Sequence, residues 1–475
     1  MKEEVKERIA QDSSALESFG YKQTLKRVLP LRSLVFYGLA YLAPVTIFST
    51  YGPVQVQTHG MLAFAYLVAT AGMIFTALSY SKMSKAYPVA GSVYSYVHRS
   101  MSAHLGFLSG WAILMDYLLL PMINYLLAGI YLNVVLPQVP IWVFMVIYII
   151  IVTVINLMGI QITSWVNNGL IITQVIFVVF FVILAARFVL MGGGAGTLID
   201  PNAFANPAEL QILGNGSVMG GIGVIFGGAS ILCLSFLGFD AVTTVSEEAI
   251  NPEKNIGRAI IITCLSAGLI FIAVSYLFQL AWPTGWQEFQ DPDSGAAELI
   301  VRIGQSFMVY FFTAVYCIGC FASATASQSS AARLLYGMGR DGALPRKFFA
   351  HLNEKRQAPS YNIILIGVVS LVGIVLPLTL AISLINFGAL AGFTLVNISV
   401  IAHYFVKQKK RSIAGVFNYL ILPLIGAVIC FLIWLSLDVH SKILGACWLV
   451  VGFIVLLFTT QFFRRPPIDL DMSEQ

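Results

Sequence analysis

Asp240 is a carboxylate set inside an apolar run, two residues after a glycine, in the stretch Cys233-Leu-Ser-Phe-Leu-Gly-Phe-Asp-Ala-Val242. A charge at mid-membrane costs about 2.5–3.5 kcal/mol on insertion scales and is kept where it faces a cavity or a partner. Gly238 is a poor helix former, so the chain is expected to unwind beside the acid. A carboxylate there can hold the ammonium of a substrate, bind a proton, or cap the helix that restarts after the break. These roles are compatible.

A second interruption lies in the run Leu34 to Phe48, with Pro44 in its middle. Inside hydrocarbon an unpaired N–H or C=O costs several kcal/mol, so broken helix survives only where protein or a watery cavity satisfies it. Two such breaks, one in each half of a chain, point to the binding site of a transporter. The expected site is the backbone of Ala43, Pro44, Val45 and Thr46 facing that of Ser235 to Gly238. Tyr41, Phe236 and Phe239 are expected to wall it, and a cation over such rings gains about 0.5–2 kcal/mol each. Proline has no N–H to offer a carboxylate. The first break therefore favours a substrate rich in ammonium, although Val45, Thr46 and Ile47 keep their donors.

Three further acids sit in or beside apolar runs. Asp116 follows Gly110-Trp-Ala-Ile-Leu-Met115, and Asn124 lies eight residues on, near the same helical face. Glu247 and Glu248 close the run that holds Asp240, just before Asn251-Pro252. They read as a mouth of the pathway, joined to nearby bases or serving as a proton relay. Asp116, Asp240 and Glu247 are the candidates for proton coupling. Cys317-x-x-Cys320 lies among Phe, Tyr and Ala without a second pair, so it reads as packing. The glycines from Gly192 to Gly196 lack the βαβ context and Lys-Ser/Thr of a nucleotide loop. The six histidines have no ligand spacing, and no metal or cofactor is expected.

The elements that position these residues are membrane helices. Of 475 residues, 58% are hydrophobic and 10% charged, with mean hydropathy +0.84. Soluble domains carry about a quarter charged residues. Windows of about 20 apolar residues give twelve spans near 34–57, 61–81, 105–131, 141–159, 166–190, 224–246, 259–281, 305–332, 361–379, 382–405, 417–436 and 443–463. No secretory leader is expected, because the first 32 residues alternate acids and bases.

With both termini placed in the cytoplasm, 24 of the 27 Lys and Arg fall on the inner side, leaving Arg187, Arg302 and Lys442 outside. The outer loop after the seventh span is acidic instead, with Glu288, Asp291, Asp293 and Glu298. Bases confined to short loops do not form the stripe that nucleic acid needs, so the expected partners are a small molecule, a proton and membrane lipid. The two breaks lie five spans apart, an odd number that inverts the second unit. The expected organisation is 1–32 cytoplasmic segment, 33–190 first repeat, 191–223 extracellular linker, 224–405 second repeat, 406–463 two appended spans and 464–475 cytoplasmic tail.

Several stretches resemble signatures of the amino acid–polyamine–organocation permeases. They are Pro88-Val-Ala-Gly-Ser-Val-Tyr-Ser-Tyr96, Ser235-Phe-Leu-Gly-Phe-Asp240 with Asn251-Pro-Glu253, and Arg333-Leu-Leu-Tyr-Gly-Met-Gly-Arg-Asp-Gly342. The resemblance covers all twelve spans. It implies an all-α membrane protein with a five-plus-five inverted repeat, broken helices one and six, and two added helices. Gly38-Leu-Ala-Tyr-Leu-Ala-Pro-Val-Thr46, Asp116-Tyr-Leu-Leu-Leu-Pro-Met-Ile-Asn124, Phe239-Asp-Ala-Val-Thr-Thr244 and Ile385-Asn-Phe-Gly-Ala-Leu390 are most similar to the bacterial putrescine importers of that superfamily. The resemblance implies a substrate carboxylate at Asp240. It also exposes a departure: those importers carry an acid after the Phe of helix one, where this chain has Ser49.

The expected activity is proton-coupled import of a small cationic amine, putrescine-like, or of an amino acid. Alternatives are an amino acid symporter or exchanger, and beyond these a channel or a sensor. No nucleophile–base pair suggests an enzyme.

Overall fold

The computed structural model describes residues 27–462 apart from 90, 91, 291, 293, 294, 354, 357 and 377. Most of the two terminal segments, Ala90 and Gly91 of the motif after the second span, Asp291 and Asp293, and Arg464 and Arg465 lie outside the described residues. Among the described residues there is no strand beyond one isolated bridge between Leu29 and Ala249. The chain is an all-α multi-pass membrane protein.

Among the described residues, nine helices are long and apolar enough to cross a membrane. A tenth crossing is the bent pair Leu31–Leu42 and Thr46–Gln57, and two shorter apolar helices, Ile141–Leu157 and Ser360–Ile374, complete the set. Together they occupy the twelve expected windows. Their outward faces stay apolar: Ile176, Ile183 and Val450 are more than half exposed, which water would penalise and lipid does not.

The termini of several elements follow from capping. The Ser102 side chain accepts from the Leu105 N–H at the head of Ala103–Val135, and Asp438 does the same for Ser441 at the head of Val439–Thr459. Several elements outrun or fall short of the apolar windows, and two show why. The eighth span is one 46-residue helix, Gly295–Arg340, where hydropathy marked only 305–332. Its polar ends continue as helix because they dock on neighbouring protein. The ninth crossing stops at Ile374, short of the expected 379, just before Leu376-Pro377 in the sequence, where proline cannot extend a helix.

The first and sixth spans lie at the centre. The third span packs along the eighth and tenth, and the second packs along the seventh. The first span touches the seventh, fifth and eighth, while the two last spans pack on the tenth. The two breaks are thus enclosed on all sides by other helices.

Candidate functional site

The first break begins where Leu42 ends its helix. Ala43 takes φ 48°, ψ 97°, and the two halves of the span meet at 42°. The carbonyl freed at Tyr41 accepts from the Ser323 hydroxyl of the eighth span at 2.6 Å, and Ser323 Oγ accepts from Asn124 Nδ2 at 3.0 Å. Past the break, the Thr46 N–H donates to the Ala43 carbonyl at 2.8 Å and the Phe48 N–H to that of Val45 at 3.1 Å. The expected donor at Thr46 is therefore already taken, because the chain turns tightly after proline and closes on itself.

A cavity lies against this break. Tyr41 and Ala43 to Thr46 (Pro44 excepted) line it with Asn124 and Leu120 of the third span and Tyr316, Cys320 and Ser323 of the eighth. Its free volume is about 20 Å³, room for roughly one water. The site is closed, and any larger guest needs helices to separate.

The sixth span breaks differently. Helix Val218–Leu232 tightens into a 3-10 turn, Cys233–Phe236, and then unwinds through Gly238 at φ 120°. The segment after Asp240, Ala241–Glu248, is 3-10 rather than the α-helix that the sequence suggested. Thr243, Thr244 and Ser246 turn their hydroxyls onto the carbonyls three residues back, at 2.7, 2.7 and 2.6 Å. Such back-bonding competes with the α-helical ladder.

Asp240 is 1% exposed. Its Oδ2 accepts from the Tyr117 hydroxyl at 2.7 Å and its Oδ1 from the Gly238 N–H at 3.4 Å. Among the described residues no base stands within 4.0 Å of it. Asp116, one residue before Tyr117, is fully buried, and among the described residues neither of its oxygens has a hydrogen-bond partner. Tyr117 adjoins Asp116 in the third span and holds Asp240 of the sixth, so the two acids share one buried region. Asp116 shares a helical face with Leu120, Asn124 and Leu127, all of which line the cavity. Asp116 and the cavity therefore lie along one stripe of the third span, while Asp240 of the sixth is not among the residues that line the cavity.

The aromatic residues of the expected wall divide. Tyr41 lines the cavity and packs edge-on against Tyr117 at 6.2 Å. Phe236 turns away onto Phe271 and Tyr66, at 5.3 and 6.4 Å. Phe239 packs on Tyr80 and Phe393, at 5.8 and 5.2 Å. Ser235 joins a hydroxyl chain through Tyr66 to Thr50, at 3.1 and 2.9 Å, which ties the two broken spans together.

Glu247 and Glu248 stand at one end of the bundle. Glu248 makes a bidentate pair with Arg333, at 2.6 and 2.9 Å, and Glu247 meets Arg340 at 2.8 Å. Arg333 and Arg340 are seven residues apart on the long eighth helix, hence on one face. The Glu248 carbonyl also accepts from the N–H groups of Val28 and Leu29, at 2.9 and 3.0 Å. One residue thus binds the start of the first span, the end of the sixth and the eighth.

Tyr117, Ser323 and Tyr316 belong to the site although the sequence does not single them out as site residues. Tyr117 adjoins Asp116, but nothing local says that its hydroxyl reaches another span. Ser323 had a signal: the run Ser323-Ala-Thr-Ala-Ser327 is rich in the small and hydroxyl residues that let membrane helices approach backbone.

A family model described as "Amino acid permease" matches residues 33–469. The low-affinity putrescine importer PlaP of Escherichia coli (strain K12) is 39% identical over 447 residues, covering 93% of this chain and 95% of that protein. The branched-chain amino acid permease BcaP of Bacillus subtilis (strain 168) is 24% identical over 460 residues, covering 91% and 93%. Cationic amino acid transporter 4 of Mus musculus is 26% identical over 422 residues, covering 84% of this chain and 63% of that protein.

Proposed function

Because this chain belongs to the amino acid permease family, we propose that it imports a small cationic amine, putrescine-like, across the cytoplasmic membrane. The family makes it a carrier of small molecules rather than an enzyme. The observation that carries the substrate class is Asp240: a buried carboxylate at a helix break, held by Tyr117 and opposed by no nearby base among the described residues. An ammonium would supply the missing counter-charge. The first break supports the same choice, since its Thr46 and Phe48 N–H groups are occupied within the turn and Pro44 has no N–H to offer a substrate carboxylate.

In this reading Asp240, Gly238 and Ser235 of the sixth span and Tyr41, Ala43, Pro44, Val45 and Thr46 of the first form the substrate site. Phe236 and Phe239 support it from behind. Asp116 carries the coupling proton, because a buried acid with no hydrogen-bond donor lacks stabilisation of its charge. Glu247, already paired with Arg340, serves closure instead. The confinement of bases to one end supports that end facing the cytoplasm. The paired breaks support an inverted repeat of spans one to five and six to ten.

A second reading, amino acid transport, is favoured by one feature: no charged side chain lines the cavity beside the first break, which suits the apolar part of an amino acid. Uptake by purified protein in liposomes with an imposed pH gradient tests both. Accumulation of labelled putrescine, resistant to excess neutral amino acid and abolished in Asp240→Asn, is expected. Full uptake by Asp240→Asn would remove the anchor. Block by neutral amino acids would favour the second reading.

A further inference from the structure

A cluster of bases sits away from the transport site, where the second span ends, the tenth ends and the eleventh begins. Lys82 lies near the end of Leu62–Ala86, Lys407 closes the tenth span, and Lys410 and Arg411 lie in the link to Ile413. The Nζ atoms of Lys82 and Lys410 both lie 5.6 Å from the centre of the Tyr419 ring. Lys410 is also 4.8 Å from the ring of Tyr404, which stacks on Tyr419 at 4.6 Å and donates its hydroxyl to the Lys82 carbonyl at 3.1 Å. Lys82 and Lys410 thus both approach the Tyr419 ring, and the Lys82 ammonium also donates to the Asn418 carbonyl.

Like charges gathered this way repel unless an anion joins them. Among the described residues no carboxylate stands within 4.0 Å of Lys82, Lys407, Lys410 or Arg411. Lys82 is only partly exposed, so water screens it incompletely. An anion from outside the chain would balance this charge.

The surroundings specify its kind. Helices end here, so the cluster lies at headgroup depth. Beside it Val406, Ile413, Phe417 and Ile421 leave apolar side chains 54%, 93%, 53% and 41% exposed. A free phosphate has no use for that apolar rim, whereas a lipid with acyl chains covers it. We propose that Lys82, Lys410 and the Tyr404–Tyr419 pair form a seat for the phosphate of an anionic phospholipid, with its acyl chains along Val406, Phe417 and Ile421. The lipid neutralises the lysines and fastens the second, tenth and eleventh spans together. This assignment does not depend on the substrate.

The test uses the full chain in neutral detergent, reading the thermal midpoint and, by native mass spectrometry, the lipid retained. Phosphatidylglycerol is expected to raise the midpoint, while phosphatidylcholine and inorganic phosphate at equal concentration are not. The double variant Lys82→Gln/Lys410→Gln is expected to bind phosphatidylglycerol roughly thirtyfold more weakly. Lys442→Gln, remote from the cluster, is expected to bind it normally. If the double variant does not fold, Lys410→Gln alone, at an exposed side chain, carries the comparison with about a fivefold loss. An unchanged phosphatidylglycerol response in the lysine variants would overturn the seat. An equal response to inorganic phosphate would overturn its assignment to lipid.

Discussion

Gly238 and Tyr41 touch across the two breaks so closely that a Cβ on Gly238 would lie 2.3 Å from the Tyr41 ring. The contact joins the unwound part of the sixth span to the last turn of the first. Gly238 also takes φ 120°, a conformation that side-chain-bearing residues rarely adopt. Gly238→Ala is therefore expected to destabilise the protein by about 1–3 kcal/mol through strain and overpacking and to abolish uptake. Thermal unfolding in detergent beside an uptake assay reads both. Tyr41→Ala should not restore Gly238→Ala fully, because relieving the contact leaves the backbone strain.

Tyr117 stands between the acids. Its hydroxyl holds Asp240 in place at 2.7 Å, and a hydrogen bond to a charged group contributes about 1.5–3 kcal/mol. Tyr117→Phe is expected to raise the apparent KM for the amine by roughly tenfold or more with a smaller change in maximal rate. An unchanged KM would mean that Asp240 is oriented by something else.

The two acids should separate in a kinetic test. Asp240→Asn is expected to lose both amine binding and uptake. Asp116→Asn is expected to keep amine exchange across the membrane and to lose accumulation driven by a pH gradient. Counterflow and gradient-driven uptake, measured on the same proteoliposomes, distinguish them. Gradient-driven accumulation by Asp116→Asn would place the proton elsewhere.

At the other end, Glu248 and Arg333 form a buried pair. Removing one member of such a pair leaves an uncompensated charge and costs about 3–5 kcal/mol. Glu248→Gln is expected to lower the thermal midpoint strongly and to raise the accessibility of an introduced cysteine at Ser330, which accepts or donates a 2.8 Å bond with Tyr37 close by. The exchange Glu248→Arg with Arg333→Glu should recover part of the stability. No loss of stability in Glu248→Gln would show that the clasp does not hold this end closed.

Much of this was legible in the residues themselves. Spans follow from the solvent: a backbone in hydrocarbon must bond to itself, so apolar windows report helices wherever they stand. Pro44 announced a break because it lacks the N–H that a helix uses, and Gly238 because a residue without Cβ is free to leave helical conformation. The pairing of Glu247 and Glu248 with bases was equally foreseeable, since buried charges demand partners.

What the chain could not declare locally is which side chains meet across spans. Phe236 and Phe239 flank Gly238 as two equivalent aromatics, yet packing sends them to opposite neighbours, Phe271 and Phe393. Asp116 and Asp240 are 124 positions apart, and only the crossing of the third and sixth spans brings Tyr117, next to the first, onto the second. Helical order is a local property of composition and solvent. The meeting of Asp240 with a hydroxyl from another span, and of the first break with a water-sized void, is a property of how rigid helices cross, and only the tertiary structure decides it.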